Sequence, residues 1–311
     1  MKTILLLGGY GFLGTNILKY IEDNLLSEYN VVVFDKFSTN RDGIVFQCVG
    51  RSYSGDFSDS IFLDKVFSEN QIDIVIHSIS TTVPALSLNA RYDIESNLIP
   101  TVELLNCMVR HFVHDIVYIS SGGAIYGDKA QGRHTESEDT FPRSSYGVVK
   151  LAIEKYLMQY AELYGLEPLI IRLSNPYGPY HYSKYQGICN VALESALANE
   201  PFTVWGDGES MKDYIYVYDF VKILFSLLTK GVKNELINIG SGCLASVNDI
   251  LHQIKSLVPS FEWGYTHASK YDVPKFELDL SKLHSIIGNY EFVQLCDGIP
   301  MTLEWLINRG V

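Results

Sequence analysis

Gly8, Gly11 and Gly14, each separated from the next by two residues, stand where a short apolar run passes into a longer helical pattern. Thr3–Leu7 reads as a strand, and Phe12–Asn24 places its apolar residues at helical spacing. A chain that passes from strand to helix on glycines is committed to the start of a βαβ unit. The alternation then continues. Val31–Asp35, Ile44–Val49, Ile74–His77, Ile116–Ser120 and Pro168–Arg172 read as further strands, with helical patterns at Asp59–Glu69, Asp93–Phe112 and Ser144–Tyr164. Apolar strands alternating with helices predict an α/β fold with a doubly wound parallel sheet, covered on both faces.

Such Rossmann-type sheets bind ligands beyond the carboxyl ends of their strands. After Arg172 the pattern turns irregular, and Ser174–Gln186 reads as a loop over the site, rich in Tyr and Pro. Asp213–Tyr218 and Leu236–Ile239 again read as strands. The expected organisation is a dinucleotide-binding domain over residues 1–172 with returning segments near 213–240. A smaller, interleaved α+β substrate domain is expected over 173–212 and 241–311.

Bulk properties exclude several partners. With 311 residues, 47% hydrophobic and 19% charged, the chain reads as an ordinary soluble protein. A net charge of -12 argues against nucleic acid as a partner. Cys48, Cys107, Cys189, Cys243 and Cys296 are widely spaced with no Cys-x-x-Cys, which suits a reducing compartment. The histidines form no His-x-His or His-Glu-x-x-His, so no metal is expected. No run approaches the roughly 18 apolar residues of a spanning helix, so no membrane is expected and a cytoplasmic location is.

The glycines let the backbone approach a pyrophosphate, which would sit on the following helix N-terminus. Asp35 ends the next strand, 21 positions beyond Gly14, where a carboxylate accepts from a ribose and repels a 2′-phosphate. That favours NAD; Lys36 beside it leaves NADP open. Asp56, in Gly55-Asp56-Phe57, could accept from an adenine amine.

Tyr146 and Lys150 are four residues apart at the start of a helical stretch and so share a face. A tyrosine with its ordinary pKa of about 10 is a poor base, but a nearby ammonium favours the phenolate. The pair can exchange a proton with an alcohol beside the dinucleotide.

Taken together these residues resemble the extended short-chain dehydrogenase/reductase family, the NAD-dependent epimerase/dehydratase group acting on nucleotide sugars. The ordered marks are Gly8–Gly14, Asp35, Gly55-Asp56, Ile76-His77, Asn97, Ser120-Ser121 with Tyr126-Gly127, Tyr146 with Lys150, Arg172 to Pro179, Trp205 to Gly208, Asp213 to Val217, Asn238 to Gly242 and Trp305. The resemblance implies cofactor contacts at Gly8, Gly11, Phe12, Leu13, Gly14, Asp35, Lys36, Asp56, Phe57, Ser78, Ser80, Asn97, Tyr146 and Lys150. It implies substrate contacts at Thr82, Ser121, Asn175, Trp205 and Lys212. Members usually carry Ser or Thr where Gly122 stands here, so Ser121 is taken as the third catalytic residue, with Thr82 as a substitute. Gly123-Ala124 replaces the Asp-Glu pair of the dehydratases, which argues against elimination. Lys212 and Ser269-Lys270 stand where arginines are usual.

The resemblance implies a UDP-hexose 4-epimerase serving surface polysaccharide such as O-antigen, working as a homodimer. Its alternative is an NAD(P)H-dependent reductase of a dTDP- or GDP-linked 4-keto-6-deoxyhexose. A non-catalytic dinucleotide-binding protein is the third reading.

Overall fold

The computed structural model describes residues 1–84, 87–127, 132–184, 186–267 and 275–310; Tyr185, Ser269 and Lys270 lie outside them. Seven strands form one parallel sheet. In chain order they begin with β1 (Lys2–Leu7), β2 (Tyr29–Asp35), β3 (Val49–Ser54), β4 (Ile74–His77), β5 (Asp115–Ser121) and β6 (Glu167–Leu173). The chain then forms β7 (Asn175–Tyr177), β8 (Phe202–Trp205) and β9 (Met211–Tyr216), and β10 (Glu235–Ile239) returns to the large sheet. The order across that sheet is β10-β6-β5-β4-β1-β2-β3.

Alternating side chains separate the core into two layers. Ile4, Leu6, Val31 and Val33 join one apolar cluster; Leu5, Leu7, Val32 and Phe34 join the other. Successive side chains of a strand leave on opposite faces, so both faces of this sheet are covered. The first cluster takes in α1 (Phe12–Asn24). The second takes in α2 (Ser60–Glu69), α4 (Ile99–Arg110) and α6 (Ser145–Tyr164), which follow the short α3 (Ala90–Asp93) and α5 (Gly122–Ile125).

Several boundaries differ from the expected ones, three of them notably. The third strand is Val49–Ser54, not Ile44–Val49. Phe46 and Cys48 are apolar because they pack into the first cluster from a loop, whereas β3 at the sheet edge is mostly exposed and reads as polar. The helical run near Asp93 starts at Ala90 and widens into a π-helical turn at Ile94–Leu98. Pro100 has no N–H to offer the Ser96 carbonyl, which loosens the α-helical ladder there. The strand expected at Asp213–Tyr218 stops at Tyr216, and α8 (Val217–Thr229) begins at once after α7 (Ile188–Leu197) and β9.

The remaining elements pack into a third apolar cluster. It joins Tyr177, Tyr214 and Tyr216 with α7, α9 (Val247–Leu257) and α11 (Leu295–Arg309), the last following α10 (Ser281–Ile287). β11 (Leu244–Ser246) and β13 (Lys275–Phe276) flank β9, while β12 (Trp263–Thr266) pairs with β8. Ser246 caps α9 in a capping box with Asp249. This part of the chain stands against the carboxyl ends of the large sheet through β7 and β9.

Candidate active site

The glycine loop closes on itself. Gly8 sits at φ +81°, where L side chains are strained, and its N–H donates to the Phe34 carbonyl at 2.8 Å. Gly14 lies inside α1 so close to the loop that a Cβ there would be 2.1 Å from the Gly8 oxygen. Gly14 therefore packs helix against loop, while Gly8, Gly11, Phe12 and Leu13 line the cleft itself.

That cleft measures about 1030 Å³. Asp35, Lys36, Asp56, Phe57, Ser78 and Ser80 also line it. The Asp35 carboxylate accepts the Tyr10 N–H at 2.9 Å and the Phe37 N–H at 3.0 Å; burial nevertheless raises its pKa. Asp56 accepts the Ser58 N–H and hydroxyl, which hold its pKa low. Across the cleft runs the segment Tyr180–Tyr182. It is pinned by Arg309, whose guanidinium lies 4.4 Å over the Tyr182 ring and whose Nε donates to Asp42 at 3.0 Å. Trp305 packs against the Tyr180 ring at 5.3 Å.

The proton chemistry is carried by α6. Ser144 caps the helix by accepting the Gly147 N–H at 3.2 Å. The Tyr146 N–H donates to the Ser87 hydroxyl at 2.7 Å. Lys150 reaches the interior strand β5 and donates to its Ile119 carbonyl at 2.8 Å. Its ammonium lies 5.8 Å from the Tyr146 ring and 4.8 Å from that of Tyr118. Burial pushes Lys150 down to about 8, opposed by the negative charge of Glu154. Burial also raises Tyr146, while hydrogen bonds with the Ser121 and Ser80 hydroxyls pull it back. One turn beyond Lys150, Glu154 is fully buried and forms a salt bridge with Arg172 at 2.7 Å. The Ser120 hydroxyl donates to it at 2.5 Å.

A second cavity of about 310 Å³ opens beside the pair. Ser121, Tyr146, Lys150, Asn175 and Lys212 contribute polar groups, and Gly123, Ala124, Leu173 and Phe276 apolar ones. None of its described lining residues is a carboxylate. Gly122 lies just behind: a Cβ on it would meet Phe276 at 3.0 Å and Leu278 at 3.2 Å. The volume of a larger side chain is thus occupied by the chain near β13, and Ser121, with Ser80, supplies a hydroxyl to Tyr146.

Besides Gly14, three residues expected to make contacts line neither large cavity, and Tyr146 and Lys150 line only the second. Thr82 is buried behind the pair and lines neither large cavity. Asn97 accepts the Thr81 N–H at 2.9 Å from within the π-helical turn, shaping the loop after β4 rather than lining the cleft. Trp205 is 65% exposed on β8 and lines neither cavity. Conversely, His181 and Phe276 line the second cavity with no motif to mark them. Phe276 stands on a strand of two residues, too short for any periodicity to reveal.

A dinucleotide-sized cleft, a Tyr/Lys pair and a smaller cationic cavity meet at the strand ends. The sequence profile of the NAD dependent epimerase/dehydratase family matches residues 4–240. The chain belongs to that family. A Methanocaldococcus jannaschii protein provisionally named UDP-glucose 4-epimerase is 32% identical, with 99% of each chain covered. A Haemophilus influenzae dTDP-glucose 4,6-dehydratase is 24% identical over 99% of this chain and 98% of its own. Among solved structures, a Thermotoga maritima UDP-glucose 4-epimerase with UDP-glucose is 30% identical with a TM-score of 0.91, covering 98% of this chain and 99% of its own. Tyr146 and Lys150 line the second cavity, which adjoins the cleft through Phe12, Leu13, Ser78 and Ser80, residues that line both. No helix among its described residues is long and apolar enough to cross a membrane.

Proposed function

We propose that the protein is an NAD-dependent UDP-hexose 4-epimerase supplying a precursor for surface polysaccharide. The observation that carries this reading is the cavity beside Tyr146 and Lys150. It holds a phenol, two lysines, the Ser121 hydroxyl and His181, whose ring burial keeps neutral by lowering its pKa to about 4, and none of its described lining residues is a carboxylate. Elimination of water from a sugar needs further acid and base groups. Gly123 and Ala124 offer none, so the site suits redox chemistry at one carbon rather than dehydration. The relatives named as epimerases are also the more similar ones reported above, at 30% and 32% identity.

NAD fits the first cleft. The Gly8–Gly14 contact leaves no room for a side chain between loop and helix, and Asp35 stands at the end of β2 to take a ribose diol. Bound there, NAD would supply the acceptor and donor of hydride for the sugar carbon.

The chain's own groups do the rest. Tyr146 removes the proton from the C4 hydroxyl during oxidation and returns it after the sugar has turned its other face. Lys150, held by the Ile119 carbonyl, favours the phenolate by its charge. Ser121 orients the hydroxyl against Tyr146. Lys212 and Asn175 take the diphosphate of the nucleotide, with Lys212 acting as a point charge.

The test begins with protein purified without added cofactor. Near-stoichiometric NAD(H) released on denaturation, and C4 inversion of a UDP-hexose, are the expected results. Empty protein that instead oxidises NAD(P)H with a dTDP- or GDP-linked 4-keto-6-deoxyhexose would make it a reductase and overturn the proposal.

A further inference from the structure

Behind the Tyr146/Lys150 pair lies a third cavity of about 10 Å³. His77, Thr82, Tyr118 and Lys150 are among its lining residues. Three of these carry a buried polar atom with no hydrogen-bond partner: His77 Nδ1, Thr82 Oγ1 and the Tyr118 hydroxyl. Native interiors rarely leave such atoms unsatisfied, least of all several around one space. A water needs roughly 10–15 Å³ and two to four polar partners. The cavity meets both conditions.

The protonation of His77 follows from its neighbours. The Thr101 hydroxyl donates to the Asn97 carbonyl at 2.6 Å. It has one proton, so toward His77 Nε2, 3.0 Å away, it accepts. Nε2 therefore carries the hydrogen, and Nδ1 is left with a lone pair. Burial, and secondarily the Lys150 charge, hold His77 down at about 3, so the ring stays neutral. A neutral imidazole with an unused acceptor stands on the wall that Lys150 also lines.

We propose that this cavity is a built hydration site, in which His77 Nδ1, the Tyr118 hydroxyl and Thr82 Oγ1 hold one water against the Lys150 ammonium, with His77 as a positioning residue for Lys150. The proposal rests on reading Tyr146 and Lys150 as the acid/base pair. The water gives the ammonium a second acceptor besides the Ile119 carbonyl, where burial alone would discharge it. A charged Lys150 in turn favours the Tyr146 phenolate. The other groups facing Lys150 are Tyr146 and Glu154 from α6, Tyr118 from β5 and His77 from β4. Arg172 from β6 enters through its salt bridge with Glu154.

The test compares wild type with H77N, H77Q and H77L, all loaded with NAD and checked for folding by circular dichroism. Asn keeps a polar atom where Nδ1 stands; Gln keeps one only where Nε2 stands. Two readouts need no sugar substrate: the crystal structure of the cavity, and the Tyr146 phenolate titration, taken as the absorbance difference against Y146F. Wild type and H77N are expected to hold the water and titrate together. H77Q and H77L are expected to lose it, with Tyr146 titrating about one pH unit higher. A dry cavity in wild type, or an unshifted titration in H77L, overturns the proposal. Should Tyr146 titrate alike in wild type and K150M, the acid/base reading itself fails. Failure to invert any UDP-hexose would sink the substrate assignment and leave this test unaffected.

Discussion

Tyr146 stands where three hydroxyl-bearing residues converge: its own phenol, Ser121 and Ser80. Y146F is expected to lower turnover about 10²–10⁴-fold while NAD stays bound, measured by C4 inversion and by cofactor release. Gly122 makes a sharper prediction. A Cβ there meets the Phe276 ring at 3.0 Å and two Leu278 methyls. G122S should therefore overpack the floor, costing about 1–3 kcal/mol in thermal or denaturant unfolding. A hydroxyl added at this position should gain no activity, because Phe276 already fills its place. The Tyr/Lys pair was legible because four residues of helix set its geometry. The Phe276 contact was not, since more than 150 residues of chain separate it from Gly122.

At the scale of elements, α6 is the most heavily committed helix. It carries the acid/base pair at one end and Glu154 in the core, where Arg172 neutralises it and the Ser120 hydroxyl donates to it. E154L leaves the buried Arg172 without its partner and should cost about 3–5 kcal/mol of stability. Lys150 adds a pH signature. Its folded value, about 8, lies below the ordinary 10.5. Between those values the unfolded chain binds the extra proton, so stability should rise with pH across that window relative to K150M. Differential scanning at several pH values checks the sign. The helix could be read from the sequence, as could the strand-glycine-helix start. The third strand could not: β3 is polar at an exposed edge, while the apolar Phe46 and Cys48 before it are buried from a loop. Periodicity reports burial, and here burial and strand do not coincide.

For the whole molecule, α4 and α6 leave Ile99, Val148, Tyr156 and Leu163 exposed. We propose that this face pairs two copies of the chain. Sedimentation should give a dimer for wild type and a monomer for Y156E, with the monomer retaining its fold by circular dichroism. A wild-type monomer at micromolar concentration would end the proposal. The two cavities have a matching test: G14A should displace the loop, because its Cβ would fall 2.1 Å from the Gly8 oxygen. Its expected result is protein that purifies without NAD, while isothermal titration still detects nucleotide binding at the second cavity.

The sequence by itself determined what short-range physics controls. Alternating apolar strands specified a doubly wound sheet; glycines between strand and helix specified the loop; and one helical turn placed Tyr146 beside Lys150. These rest on backbone geometry within a few residues of each other. Tertiary structure alone decided which distant groups share a wall. It brought Phe276 against Gly122 and left Ser121 to meet the phenol. It put Trp205 outside both cavities and set His77, Thr82 and Tyr118 around one small space. Those placements follow from packing between elements far apart in the chain, and no local pattern encodes them.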